Sequence, residues 1–420
     1  MTMVSTRPRA ARRHPARSAG RRRLAAATLI TSFGNGLYLT IAALFFTRTL
    51  GFGTARVGVV LTVAGLAGVL ASVPAGRAAD RYGIKRMSAL LLCGEAVGMG
   101  ALAFCTTFWA FAVVVCATTA LDRAAASVRQ ALYAQAFDPE TRVADRAYIR
   151  AVTNAAIGLG AAVAALALQA DSRAVYQAAI VADAVSFLGV VALLPGIALR
   201  GAAVDESAER RAGSRAAGKI PVSRRYQVVA ALNAVLMIQF ALSEVALPLW
   251  LLDDTRAPRV LVSGLLIANT ALVVLMQVRA ARGVSGVASA ARALRLGGMM
   301  LALACAVTAC AKGLSPIAAT AVLLTAGILL TIGEVLTQAG AWTLSYDLAD
   351  DRAVGAHQGV FNAGVAAGAM VGPLVVTQTA LRHGLAGWVV LGALFAGAGA
   401  AIGPVVRRAG SPAPGPGDAR

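Results

Sequence analysis

Charge is scarce in this chain of 420 residues: only 14% are Asp, Glu, Lys or Arg, against 58% hydrophobic. A soluble chain of that length needs far more charge to cover its surface, so a water-soluble globular domain is excluded. Lysine is nearly missing, with Lys85, Lys219 and Lys312 beside 36 arginines. Histidine is reduced to His14, His357 and His383. Neither these nor the five cysteines (Cys93, Cys105, Cys116, Cys305, Cys310) fall at metal-ligand spacing. The cysteines lie inside apolar runs, where a thiol is a small buried hydrophobe. No metal and no cofactor is expected. A G-x-x-x-x-G-K-[ST] loop is also absent, which removes ATP as an energy source within the chain.

What the chain does have is long apolar runs and a mean hydropathy of +0.71. Each run is close to the ~20 residues that a hydrocarbon core of roughly 30 Å demands of a helix. Such runs lack the polar face that a soluble core helix shows every turn. The runs predict twelve spans, at 24–47, 54–76, 87–105, 108–128, 151–170 and 174–198, then 227–252, 260–280, 291–311, 314–338, 358–381 and 385–406. The ninth is the least regular, because Arg292 and Arg295 stand at its start. The chain therefore divides into a basic tail (1–23), six helices (24–198), a polar linker (199–225), six more helices (226–406) and a Pro/Gly-rich tail (407–420) expected to be disordered.

The formal net charge is +20, a value that elsewhere suggests nucleic acid. The positions of the charges argue otherwise. With both tails on one side, 31 of the 39 basic residues fall on that side and 7 on the other, while Arg123 lies within a helix. Basic residues concentrate on the cytoplasmic side of membrane proteins, so both termini are expected in the cytoplasm, in a cytoplasmic membrane, with no nucleic-acid partner. The 24-residue first run exceeds the ~7–15 residues of a secretory signal core and ends in no cleavage site, so retention is expected.

The two sets of six hint at duplication. At an offset of 208 residues, Asn154 and Ala155 meet Asn362 and Ala363, and Gly160, Ala161 and Val163 meet Gly368, Ala369 and Val371. In span eleven, Gly364, Gly368 and Gly372 recur every four residues ahead of Pro373, a small-residue face suited to close helix packing.

Between spans two and three stands Gly76-Arg-Ala-Ala-Asp80-Arg81-Tyr-Gly83-Ile-Lys85-Arg86. This resembles the signature loop of the major facilitator superfamily, G-x-L-x-D-R-x-G-R-[KR]-[KR]. Gly76, Asp80, Arg81, Gly83, Lys85 and Arg86 match, whereas Ala78 and Ile84 depart. The counterpart loop in the second half, near 284–294, keeps Arg292 and Arg295 without the Asp. The resemblance implies an all-α membrane fold of two pseudo-symmetric six-helix bundles, working as a monomer by alternating access. It also implies that this loop is a conformational latch between the halves. A short loop needs the sharp turn at Gly83, and Asp80 is suited to accept hydrogen bonds from a neighbouring helix start or to pair with Arg. The G-x-x-x-G-P motif of drug/proton antiporters is missing from span five.

Intramembrane charges mark functional sites by default. They are Glu95, Asp122, Arg123, Asp183, Glu244 and Glu334. The family plan places spans one, four, seven and ten around the central cavity, so Glu95 and Asp183 are expected to be structural. Asp122 and Arg123 point about 100° apart on a helix, so each is expected to need its own partner or to sit near the inner membrane surface. Glu334 is placed toward the cytoplasmic end, bonded to a helix end. Glu244 is the leading candidate. Pro248, four residues on, frees a backbone carbonyl beside it and permits a kink. A carboxyl in a low-dielectric cavity suits reversible protonation. At the 208 offset it falls beside Asn35, in a predicted Gly34-Asn35-Gly36 break of span one. Glu244 is therefore expected to hold the coupling proton or a cationic substrate, with Asn35, Tyr38 and Gln239 nearby.

The expected activity is secondary transport of a small molecule, as proton-coupled efflux of a hydrophobic or cationic compound, with metabolite uptake as the alternative. A multi-pass prenyltransferase is disfavoured, because Asp347-Leu-Ala-Asp350-Asp351 lacks a second acidic motif on the same side. A non-transporting receptor would need soluble domains that the chain does not have.

Overall fold

A computed structural model describes residues 15–44, 54–138, 140–168, 172–199 and 221–407, and these are almost entirely helical. The linker, the extreme tails and the far ends of spans one and five therefore lie largely outside the described residues. The first half comprises α1 (Pro15–Leu44), α2 (Thr54–Tyr82), α3 (Ile84–Phe104), α4 (Phe108–Ala136), α5 (Arg142–Leu168) and α6 (Arg173–Leu193). The second comprises α7 (Arg224–Asp254), α8 (Leu261–Arg282), α9 (Val287–Ala309), α10 (Pro316–Asp347), α11 (Val354–Val376) and α12 (Arg382–Arg407).

Among the described residues, eleven continuous helical stretches are long and apolar enough to cross a membrane. The last, Val354–Arg407, runs for 54 residues. At 1.5 Å per residue it would reach about 81 Å, more than twice a hydrocarbon core. Gly384 (φ 55, ψ −130) breaks it in two, which makes twelve spans. The outward faces are apolar, with Leu70, Val97, Trp109 and Ile317 exposed. In a chain that folds in lipid, those side chains meet acyl chains.

The halves repeat one another. In the first, α1 packs on α5 and α6, α2 on α4, and α3 on α4 and α6; in the second, α7 packs on α11 and α12, α8 on α10, and α9 on α10 and α12. The glycines at the 208 offset sit in equivalent seams. A Cβ on Gly160 (α5) would overlap the Phe33 carbonyl oxygen of α1, and one on Gly368 (α11) would overlap the Ala234 carbonyl oxygen of α7. Gly364 meets Ala230 and Gly372 meets Ala241 along the same face. Backbones approach this closely only where no side chain intervenes. The turns between α2 and α3 and between α8 and α9 repeat as well, each made by one glycine in the left-handed region: Gly83 (φ 93) and Gly286 (φ 122). That conformation costs glycine nothing sterically.

Four expectations need correction. The segment from Gly76 to Arg86 is not a loop, since α2 runs to Tyr82 and α3 starts at Ile84, leaving Gly83 alone outside helix. The Gly34-Asn35-Gly36 run does not break α1. Its glycines instead let α1 approach Ile157 of α5 and Asp183 of α6. The helices overrun their apolar runs at the basic end, where α4 reaches Ala136, α5 starts at Arg142, and α10 reaches Asp347. Hydropathy marks the edge of the hydrocarbon, whereas backbone hydrogen bonding carries a helix beyond it. The ninth span starts earlier than expected, with Arg292 and Arg295 exposed inside α9.

Basic side chains close helix ends at that face. Arg23 donates to the Gly196 carbonyl and Lys85 to the Pro195 carbonyl (3.1 Å) just after α6, and Arg225 donates to the Val406 carbonyl of α12 (2.6 Å). Cations there complement the negative end of a helix dipole.

The α1–α5 seam makes a direct prediction. Gly160→Ala should cost about 1–3 kcal/mol or more as overpacking, read as a lower melting temperature of the purified protein in detergent. Gly158→Ala, with open space at its Cβ, should melt as the parent does. Equal melting of the two variants would contradict this packing.

Candidate functional site

The halves meet along a seam in which α2 packs on α11, α5 on α8, α4 on α11 and α5 on α10. At the basic end the seam is held by the Asp80 carboxylate. Oδ1 accepts the backbone N–H of Gly355 and Oδ2 that of Ala356, both at 2.7 Å. These are among the N–H groups that the start of α11 leaves without helical partners, at the positive end of its dipole. Gly76, one turn before Asp80, faces Gly355 so closely that a Cβ on either would overlap the other's carbonyl oxygen. The start of α11 is itself fixed. Gln358 Nε2 donates to the Ser345 carbonyl (2.8 Å), and His357 packs edge-on against Tyr226. In the preceding turn Arg352 grips Asp350 through its backbone and guanidinium, holding that carboxyl down to about 2. Of the other residues in the motif, Arg81 lies over the Tyr82 ring (5.3 Å), and Arg86 is exposed.

Above this contact runs a ladder that sequence reasoning missed. Arg142, Arg146 and Arg150 fall at four-residue spacing on α5, hence on one face. Arg142 lies over the Tyr346 ring (5.0 Å), Arg146 over Tyr133 (4.7 Å) and Trp342 (5.2 Å), and Arg150 over Phe240 (5.9 Å). Trp342 and Tyr346 are likewise four residues apart, on α10. All three arginine Nε atoms are buried without a hydrogen-bond partner among the described residues. A cavity of about 320 Å³ opens beside the lowest rung, lined by Ala134, Gln135, Arg142, Tyr346, Asp351 and Gln358 among others. The spacing of these arginines is visible in the sequence. The signal was hidden because a hydropathy boundary at Ala151 put all three in a loop.

Two acids, Glu334 first and Glu244 after it, carry the negative charge that reaches Arg150 at the top rung. Glu334 is buried and accepts from Asn269 Nδ2 (3.2 Å) and Gln338 Nε2 (3.4 Å). It therefore bonds side chains of α8 and α10 rather than a helix end. Because α10 continues to Asp347, Glu334 sits near mid-helix, not at the end where the shorter predicted span placed it. Gln239 is buried beside this network and donates to Thr337 Oγ1 (3.1 Å). Glu244 is exposed and lies in a π-helical turn, Leu242–Ala246, which ends two residues before Pro248. The missing N–H of Pro248 leaves the Glu244 carbonyl without its helical donor, and the wider turn absorbs the mismatch.

The first half contributes less. Asn35 is exposed and Tyr38 half-buried on α1, and no hydrogen bond joins either to Glu244 among the described residues. Asp122 and Arg123 pair with each other (3.7 Å) despite adjoining positions, because the long Arg side chain folds back. The Arg123 carbonyl accepts from Asn362 Nδ2 of α11 (3.3 Å), a further bond across the seam. Glu95 and Asp183 are buried inside the first bundle. Asp183 meets Ser186 Oγ at 3.5 Å.

Two six-helix repeats that meet along a charged seam are the build of a membrane carrier. The chain belongs to the major facilitator superfamily, whose family model matches residues 24–373. Solved structures agree on the fold. A bacterial homologue of the iron transporter ferroportin, in an outward-facing state with soaked iron, aligns with a TM-score of 0.68 and 15% identity over 92% of this chain and 98% of its own. The superfamily transporter FucP in the outward conformation gives 0.67 and 11% over 93% and 99%. The human organic anion transporter MFSD10 gives 0.62 and 14% over 93% and 100%. The chain is a secondary transporter of the multi-pass membrane class, not an enzyme.

The Asp80 contact predicts how the basic end responds to losing it. Hydrogen bonds to a charged group contribute about 1.5–3 kcal/mol each, so Asp80→Asn should open the seam measurably. In a variant without native cysteines, Ala134→Cys lines the seam cavity. Its reaction with a water-soluble maleimide should be faster by roughly ten-fold or more when Asp80→Asn is added. An unchanged rate would mean that the carboxylate does not hold the seam shut.

Proposed function

We propose that this carrier exports a small hydrophobic or cationic compound in exchange for protons, across a cytoplasmic membrane with both termini in the cytoplasm. The observation that carries the reading is Glu244, an exposed acid in a π turn of α7, one turn beyond the Phe240 ring over which Arg150 lies. One carboxylate that takes either a proton or a cationic centre, but not both, makes the two fluxes compete for a site, which is the requirement of exchange. Pro248 and the π turn give α7 a point at which to bend as that site changes occupancy.

The orientation rests on the basic residues gathered at the end where Asp80 meets α11. With that end cytoplasmic, the seam is closed toward the cytoplasm, as an outward-facing state requires; FucP and the ferroportin homologue are solved in that state. Asp80 and Gly76 then act as the latch of the cytoplasmic side, and Gly83, Lys85 and Arg86 hold the end of α2 and the start of α3 around it. The Asp80 contact and the arginine ladder both join halves of one chain, which supports a monomer as the working unit.

The test uses everted membrane vesicles from an efflux-deficient host, with tetraphenylphosphonium as a lipophilic cation. An imposed proton gradient should drive its accumulation in vesicles carrying the parent protein. Glu244→Gln, which cannot cycle a proton, should reduce accumulation to the level of empty vesicles at equal protein abundance. Accumulation by the Gln variant at the parental rate would rule out this role for Glu244, and transport only in the opposite direction would make the protein an importer.

A further inference from the structure

A guanidinium inside a membrane protein is costly to bury, and the cost is met by partners. Arg146 has two aromatic faces, Tyr133 and Trp342. Glu334 has two amide donors. Arg150 has neither: its guanidinium touches one ring, Phe240, and its Nε is buried without a hydrogen-bond partner. No carboxylate reaches it within the 4.0 Å of an ion pair among the described residues. Glu244 is in the same position across the seam, exposed and with no hydrogen bond among the described residues. Phe240, the ring under Arg150, lies four residues before Glu244 on α7, which brings the two groups to the same part of the seam; Glu334 is the other acid whose charge reaches Arg150.

Opposite charges from opposite halves, on either side of the Phe240 ring and unpaired among the described residues, offer a definite chemistry. An anionic group fits the Arg150 fork, which presents parallel N–H donors to a carboxylate. A cationic group fits Glu244, and an apolar body fits against the Phe240 ring between them. We infer that the seam binds a zwitterionic cargo with an apolar body, its anionic group on Arg150 and its cationic group on Glu244. This rests on the reading that Glu244 meets the cargo's cationic centre, and it adds an anionic group to the same molecule. Because Arg150 belongs to α5 and Glu244 to α7, such a cargo ties the two halves together from within. A singly charged molecule leaves one of the two groups unmatched.

Three probes sharing one apolar body separate the charges: phenylalanine (zwitterion), phenylalaninamide (cation) and N-acetylphenylalanine (anion). The readout is thermal stabilisation of the purified full-length protein as each probe is titrated. Phenylalanine should stabilise at a concentration at least about ten-fold lower than either relative, the loss expected when a charged group misses one hydrogen bond. Arg150→Gln should erase its advantage over phenylalaninamide, and Glu244→Gln its advantage over N-acetylphenylalanine. Arg150→Lys keeps the charge without the fork, so it should retain only part of the preference, and it serves if the Gln variant does not fold. No preference for phenylalanine over phenylalaninamide in the parent protein overturns the proposal. So does an unchanged preference in the Arg150 variants. If only the Glu244 arm fails, the cationic role proposed for Glu244 falls while the anion site at Arg150 stands.

Discussion

The Asp80 carboxylate, seated across the first free N–H groups of α11, is the contact on which the arrangement of the halves depends. A carboxylate at a helix N-terminus is a common stabilising device within one domain. Here donor and acceptor belong to different halves, so the same device becomes a fastener that holds while the halves are together and is lost when they part. Both oxygens are used at 2.7 Å, which fixes the angle between α2 and α11 as well as their distance. The approach is possible because Gly76 and Gly355 carry no side chain at the crossing. The Gly and the Asp of the sequence motif therefore do one job, and Gly83 contributes by turning the chain immediately after it.

The arginine ladder reinforces that closure by a different balance. Three guanidinium groups enter the seam and lie over aromatic rings, and none forms an ion pair among the described residues. A cation–π contact contributes about 0.5–1 kcal/mol when exposed and ~2 or more when desolvated. Breaking a buried ion pair by contrast costs roughly 3–5 kcal/mol, because a bare charge is left behind. If the seam separates during transport, as proposed, it is better closed by several weak stacking contacts than by a few buried ion pairs. When the seam opens, the guanidinium groups gain water and the rings meet no unmatched charge. The acids stay at the top rung, where Glu334 is held by amides and Glu244 is free.

Much of the fold was legible because lipid imposes a length and a polarity on each helix. Twelve apolar runs correspond to twelve helices, and the glycines at the 208 offset, Gly160 and Gly368, occupy equivalent helix crossings. What could not be read is where helices end, since α4, α5 and α10 continue past their apolar runs. That one limitation produced the largest omission. By hydropathy Arg150 reads as an orientation signal in a loop, whereas it lies in the third turn of α5 and faces Phe240. The same limit displaced Glu334 toward the helix end. Gly34 and Gly36 show the converse, because a helix breaker by propensity became a site of close helix packing. Propensity reports on an isolated helix, and a neighbour at backbone distance overrides it.

The central claim is that two rigid halves, fastened at the basic end through Asp80, exchange closure at one end for closure at the other. The direct measurement is the pair of distances across the two ends, by electron-spin resonance between labels in the reconstituted protein. Labels at Tyr82 and Ser285 report the basic end, and labels at Thr106 and Ile317 the opposite end; all four residues are exposed. Releasing the fastener with Asp80→Asn should lengthen the first distance and shorten the second in the same population. Two distances that lengthen together, or a basic end that separates while the opposite end stays fixed, would contradict the account.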